Sequence, residues 1–280
     1  FSLIFQGIAV VFHISTSPTT KTTEIIYLYI AFLPTIFSKG VIHMKIVCSK
    51  ANLAKGVSTV SKAVPSKTTM PILECVLIDA TLDVIKLTAN DMELGIQTEV
   101  EGEIIEHGMI AIDARIFSEI VRKLPDNDVV IETDENLQAT ITCEKANFNI
   151  SCKPGDEFSY LPIIEKDTTI SISQYTLKEV IRQTIFSIAD NESNKVMTGE
   201  LFEINQNTLR VVSLDGHRIS IRKLELKEEY DHKKIIVPGK TLIEISKILS
   251  GEADKEVCIY FTENHIVFEF DRTVVVLRLI

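Results

Sequence analysis

The chain repeats itself, and that repeat constrains the fold more than any single motif does. Leu53, Val57 and Val64 lead the apolar stripe of one candidate helix, and Leu177, Ile181 and Ile188 lead that of another, each 124 residues on. "IKLTANDMELGI" (85–96) matches "LRVVSLDGHRIS" (209–220), which sets Asp91 under Asp215, again 124 residues on. "IAIDARIFSEIVRKL" (110–124) matches "IIVPGKTLIEISKIL" (235–249), with Arg115 under Lys240 at an offset of 125. Self-similarity at a fixed period marks a duplicated structural unit.

Each copy reads as strand, helix, three strands, helix, three strands. Period-2 alternation outweighs helical periodicity, and short polar turns such as Asp126-Asn127-Asp128 join the strands. The predicted class is α+β, with helices on one face of antiparallel sheets. "SCKPGDEFSYLPIIEKD" (151–167) contains Pro154-Gly155 and Pro162 and reads as the connector between copies.

Residues 1–43 differ from all that follows, with no Asp, one Glu and many Phe and Ile. Neither of their apolar runs reaches the roughly 18–20 residues of a membrane-spanning helix. No basic region precedes the first run, as a signal peptide requires. The folded domains are therefore expected to begin at Met44, with 1–43 an upstream or non-native extension lacking order. The initial Phe1 and the apolar run from Val274 to Ile280 predict a fragment of a longer chain.

The 45 % hydrophobic and 24 % charged residues suit a soluble globular protein. Five scattered cysteines form neither a CxxC pair nor a zinc spacing, so they read as free thiols in a reducing compartment, which places the protein in the cytoplasm. No cofactor or metal site is expected.

A formal net charge of −10 argues against a general nucleic-acid binder, whose footprint is basic. The charge is segregated, however. The candidate helices carry Lys55 and Lys62, then Arg115, Arg122 and Lys123, then Lys178 and Arg182, then Lys240 and Lys247. The members of each pair are seven, seven, four and seven residues apart, which puts each pair on one helix face beside the apolar stripe. Basic pairs recur at matched positions in both copies. Glu119, Glu179 and Glu244 show that these helices are not purely basic. If the sheets join side by side, the helices line one mildly basic surface, able to hold a phosphate backbone without reading bases.

"VVSLDGHRIS" (211–220) admits two readings: a catalytic cluster of Asp215, Gly216 and His217, or a tight turn between strands. The matched stretch keeps Asp91 but has Met92 and Glu93 in place of Gly216 and His217, so the aspartate reads as a turn residue bonding its own backbone.

"MKIVCSKANLAKGVSTVSKAVPSKTTMPILECVLIDA", "KPGDEF", "VMTGELFEI", "SLDGHRIS" and "IIVPGKTLIEISKIL" together resemble the bacterial sliding clamp, the β subunit of DNA polymerase III. The resemblance runs from Met44 to Ile280 and implies the DNA clamp fold: tandem α+β domains with helices on the inner face of a ring and sheets outside. It implies a first domain at 44–162, a second at 163–280, and a third beyond the end of this chain. It also implies a homodimer closed around double-stranded DNA, and a groove that receives the polymerase III catalytic subunit, the clamp loader and other clamp-binding proteins. The positions matching one wall of that groove are Met197, Leu214, Gly216, His217, Arg218 and Ile219. Leu214 departs from the Thr common in the family. Lys67, Asn191 and Lys195 match loop positions that touch DNA.

Two rival readings draw on the same residues. An enzyme would use Asp215, His217 or Asp231-His232 as acid–base groups, but no nucleophile motif, phosphate-cradling glycine loop or metal spacing accompanies them. A peptide-binding scaffold independent of DNA would use the groove alone.

Overall fold

The computed structural model describes residues 4–5, 8–9, 43–162, 164, 169–190 and 194–280. The described residues fall into two units, one within 1–39 and one within 40–280. The expectation that 1–43 lacks order falls mainly outside the described residues; within them, Ile4–Phe5 (β1) and Ile8–Ala9 (β2) pair antiparallel.

The larger unit opens with Lys45–Ser49 (β3) and Lys50–Val60 (α1). Five strands follow: Cys75–Asp79 (β4), Ile85–Asn90 (β5), Leu94–Val100 (β6), Gly102–Glu106 (β7) and Met109–Asp113 (β8). Ala114–Lys123 (α2) leads to Asp128–Thr133 (β9), Gln138–Cys143 (β10), Ala146–Ser151 (β11) and the short Lys153–Pro154 (β12). The second copy runs Thr169–Ser173 (β13), Gln174–Thr184 (α3), Gly199–Leu214 (β14), Ile219–Pro238 (β15), Gly239–Ile248 (α4), Glu256–Phe261 (β16), His265–Phe270 (β17) and Thr273–Arg278 (β18).

The expected three strands between the helices of each copy are thus five in copy one and two long ones in copy two. The register explains the difference. In copy one β4 pairs with β8, Cys75 opposite Asp113, and β5 pairs with β6, Asn90 opposite Gly95. In copy two the same pairings recur within one ribbon: Gly199 opposite Pro238 and Leu214 opposite Ile219. The β14–β15 register shifts at Gln206, whose φ is +53°, where copy one breaks into separate strands. There Asp79 Oδ1 accepts from the backbone and hydroxyl of Thr81, closing a polar turn that ends β4.

The helices begin where a short polar side chain accepts from the first turn. Ser49 accepts from Asn52 N at 3.2 Å, and its counterpart Ser173 accepts from Thr176 N at 3.1 Å. Asp113 accepts from Ile116 N at 2.8 Å, whereas α4 follows Pro238 with no side-chain cap among the described residues. The buried stripe of α1 is Leu53, Gly56, Val57 and Val60; that of α3 is Leu177, Val180, Ile181 and Thr184, the same four positions 124 residues on, with Gln174 buried as well. The helices pack in pairs, α1 with α2 and α3 with α4, against their own copy's strands.

A five-stranded sheet has the order β11-β10-β9-β3-β7. A nine-stranded sheet has the order β12-β8-β4-β5-β6-β18-β17-β16-β13 and passes from one copy to the other where β6 pairs with β18. The connector does not run free of the first copy: β12 adds to β8, and Phe158 is buried against Cys75, Leu77 and Ala111. Among the described residues no helix is long and apolar enough to cross a membrane.

Candidate DNA-facing helices and partner groove

The Asp215 turn links β14 to β15 and is built identically to its counterpart. Asp215 Oδ1 accepts from the backbone N–H groups of His217 and Arg218, both at 3.0 Å; Asp91 Oδ1 accepts from those of Glu93 at 2.9 Å and Leu94 at 2.6 Å. The residue after each aspartate has a left-handed backbone, Gly216 at φ +90° and Met92 at φ +75°. The His217 N–H, followed by the Arg218 N–H and guanidinium, holds the Asp215 carboxyl below the usual carboxylate range. An aspartate engaged in this way, with three donors on its two carboxyl oxygens, is an ionised turn brace.

What copy two adds is the surface on that turn. Arg218 Nε donates to Asp215 Oδ2 at 2.8 Å, and its guanidinium carbon lies 6.0 Å from the centre of the Phe186 ring. Ile219 is 59 % exposed, and His217 is exposed as well. Leu214 and Met197 are half-buried, Met197 in the turn Lys195–Thr198, which Ala189 N ties down through Met197 O at 2.8 Å. At the matched position of copy one, Gly95 lies under Leu161 of the connector, so close that a Cβ would fall 2.1 Å from Leu161 Cδ2. Phe186, Val196 and Ile221 extend the exposed apolar wall and were not anticipated. Phe186 carries a signal in retrospect: it stands 124 residues after Lys62, an aromatic in place of a cation at the end of the matched helix.

The basic positions divide. Lys55, Arg115 and Arg122 are exposed on α1 and α2, and none makes an ion pair among the described residues. Lys62 is not on α1, which ends at Val60; it sits in the 3-10 turn Ser61–Ala63 and is half-buried. On α3, Arg182 donates twice to Glu179, at 2.9 and 2.7 Å, and Lys178 Nζ reaches Leu249 O at 3.0 Å. On α4, Lys240 is exposed, and Lys247 pairs with Glu244 at 2.6 Å. The recurrence of basic residues at matched positions holds for α2 and α4, where Arg115 matches Lys240 and Arg122 matches Lys247. It fails for α1 and α3, where Lys55 matches Glu179 and Lys62 matches Phe186. Lys67 and Lys195 are exposed in loops, and Asn191 lies outside the described residues.

The thiols are free, and four of the five are buried. Burial pushes Cys48 and Cys152 each up to about 12, which keeps them protonated and unreactive.

Comparison with known proteins agrees with this geometry. Residues 44–162 match the family model described as the DNA polymerase III beta subunit, N-terminal domain, and residues 171–280 match the model of its central domain. The beta sliding clamp of Staphylococcus epidermidis is 36 % identical over 215 residues, 74 % of this chain and 57 % of that protein. Among solved structures, a putative DNA polymerase III beta subunit from Eubacterium rectale superposes with a TM-score of 0.83 at 69 % identity, over 85 % of this chain and 65 % of that one. A DnaN sliding clamp from Pseudomonas aeruginosa bound to griselimycin superposes with a TM-score of 0.79 at 27 % identity, over 86 % of this chain and 65 % of that one. The chain thus spans about three fifths of the length of the curated relative it matches. Two consecutive domain models in the family's order, laid over two copies of one α+β unit in matched register, establish that the chain belongs to the DNA polymerase III beta subunit family, the bacterial sliding clamps.

Proposed function

We propose that residues 44–162 and 163–280 are the first two domains of a DNA polymerase processivity factor, with 1–43 outside the clamp fold. In this reading the protein is a non-catalytic cytoplasmic subunit without cofactor that encircles duplex DNA as a homodimeric ring. It tethers the polymerase III catalytic subunit, the clamp loader and other clamp-binding proteins through the groove at Met197, Leu214 and Gly216 to Ile219. The carrying observation is the pair of α2 and α4 helices, which repeat a basic position twice, Arg115 with Lys240 and Arg122 with Lys247, on an otherwise acidic chain. Contacts of this kind go to phosphates and carry no sequence information, which suits a protein that slides. Lys55, Lys62, Lys67, Lys178, Arg182, Asn191 and Lys195 are proposed as further DNA-contacting positions, with Arg182 and Lys247 weakened by their glutamate partners.

A chimera carrying residues 44–280 ahead of the uncovered part of the Eubacterium rectale chain tests this reading. After loading onto nicked circular duplex it should stay bound during gel filtration and leave when the circle is cut. Equal loss from circular and linear DNA would overturn the ring; retention of a groove-binding peptide under the same conditions would then leave a scaffold.

A further inference from the structure

Beneath the groove wall lies a set of buried polar side chains that copy one does not have. Thr184, Ser187, Glu200 and Ser213 are all buried, and Ser220 is half-buried. The residues 124 positions earlier are Val60, Ala63, Val76, Ala89 and Ile96, every one apolar and buried. Copy two has therefore replaced five apolar core positions with polar ones, in a single cluster under the 211–220 turn. Ser213 Oγ donates to Thr184 O at 2.5 Å, and Ser187 Oγ and Ser220 Oγ lie 2.6 Å apart. The two strands flanking the turn are thus pinned to the C-terminal end of α3 and to the 3-10 turn Ile185–Ser187 that follows it.

Glu200 is the unresolved member. Its side chain is fully buried, and neither carboxyl oxygen has a hydrogen-bond partner among the described residues. Thr184 stands beside it on α3, but the Thr184 hydroxyl donates to Val180 O at 2.7 Å. Across the ribbon Glu200 faces Val237 of β15. Charged groups on the surrounding elements are engaged elsewhere or exposed: Lys178 at Leu249 O, Arg182 at Glu179, Lys233 at Phe261 O, Lys234 at Glu203, and Lys240 on the open side of α4. Glu203, on the same strand, points to the opposite face.

We propose that this cluster is a protonation-gated support for the groove wall: with Glu200 neutral the strands at Ser213 and Ser220 stay pinned to α3, and with Glu200 ionised the pins open and the wall loosens. An ionised carboxylate without a partner cannot remain in an apolar core, and Glu200 lies beside Thr184, the residue whose carbonyl oxygen anchors Ser213. Burial raises the Glu200 carboxyl from 4.5 to about 7. Because the folded value is the higher one, the support is complete below 4.5 and is lost as the pH rises towards 7.

The inference concerns the wall of the proposed groove, but it is read on the chain alone and so fails separately from DNA or peptide binding. Hydrogen–deuterium exchange of the full chain, corrected for intrinsic rate, compares protection of 211–220 with that of 87–96, its counterpart in the same molecule. The ratio should fall at least tenfold between pH 5 and pH 7 and level off above that. Glu200→Val installs the copy-one residue and Glu200→Gln keeps the polarity without the charge; both should hold the ratio constant. A constant ratio in the native chain, or an equal fall in both variants, overturns the proposal.

Discussion

Gly216 sits at φ +90° with nothing within 4 Å of where a Cβ would project. Space is therefore not what selects glycine; the backbone is. An L side chain in the left-handed region costs roughly 1–2 kcal/mol. Gly216→Ala should lower the free energy of unfolding by about 1 kcal/mol in a urea titration, with the turn's hydrogen bonds intact. Met92 holds the same conformation in copy one at φ +75°, so its turn already carries that strain. Asp215 behaves differently from Gly216. Its carboxyl lies below the usual range, so its contribution is present above the unfolded value of 3.8 and disappears only as the pH falls through the lower folded value. Asp215→Asn keeps an acceptor for the two backbone donors but loses the ion pair to Arg218. Carbon-13 spectra of the Arg218 guanidinium should report its release from Asp215 in that variant while the amide protection of His217 persists.

At the scale of a helix, charge counts for what it is free to do. Lys55, Arg115 and Arg122 stand exposed without acidic partners among the described residues, whereas Arg182 and Lys247 are held by Glu179 and Glu244. Reversing Lys55, Arg115 and Arg122 to Glu in the chimera should therefore weaken DNA retention strongly. It should also flatten the log–log salt dependence by about 0.9 for each phosphate no longer neutralised. Reversing Arg182 and Lys247 should change the slope less, and an equal change would show that their glutamates do not matter. The sequence displayed the basic spacing but not this inequality, because i,i+3 partners such as Glu179 become visible only once side chains are placed. The apolar stripes of α1 and α3 were legible, since Leu53 and Leu177 head the same four-residue pattern. The extent of each helix was less so: Lys62 reads in phase with Lys55, yet the chain tightens into a 3-10 turn after Val60. The long β14–β15 ribbon was also hidden, because whether a polar run ends a strand or bulges within it depends on the partner strand, as Gln206 demonstrates.

At the scale of the molecule, the two copies are joined by a strand pair and not by a hinge. Leu94 to Thr98 of β6 lie opposite Leu277 to Thr273 of β18, and Arg278 N donates to Glu93 O at 2.9 Å. At one end of the seam the hydroxyls of Thr98 and Thr273 meet at 2.8 Å, buried, while Arg272 and Glu101 pair at 2.6 Å on the exposed side. A sheet that continues from one repeat into the next fixes their relative orientation through backbone hydrogen bonds. The exposed pair contributes little to this, since surface ion pairs typically do. The buried hydroxyl pair is different, because removing one member leaves the other unsatisfied away from water. Thr98→Val and Thr273→Val should each destabilise by about 1–3 kcal/mol, and the double substitution by much less than their sum, because an apolar pair orphans no donor. Urea titrations of the four proteins close the cycle. If the seam couples the copies, native and double-variant chains unfold in one transition, and the single variants do so at lower urea. Two separated transitions in the native chain would mean that each copy holds its own fold and the seam only aligns them.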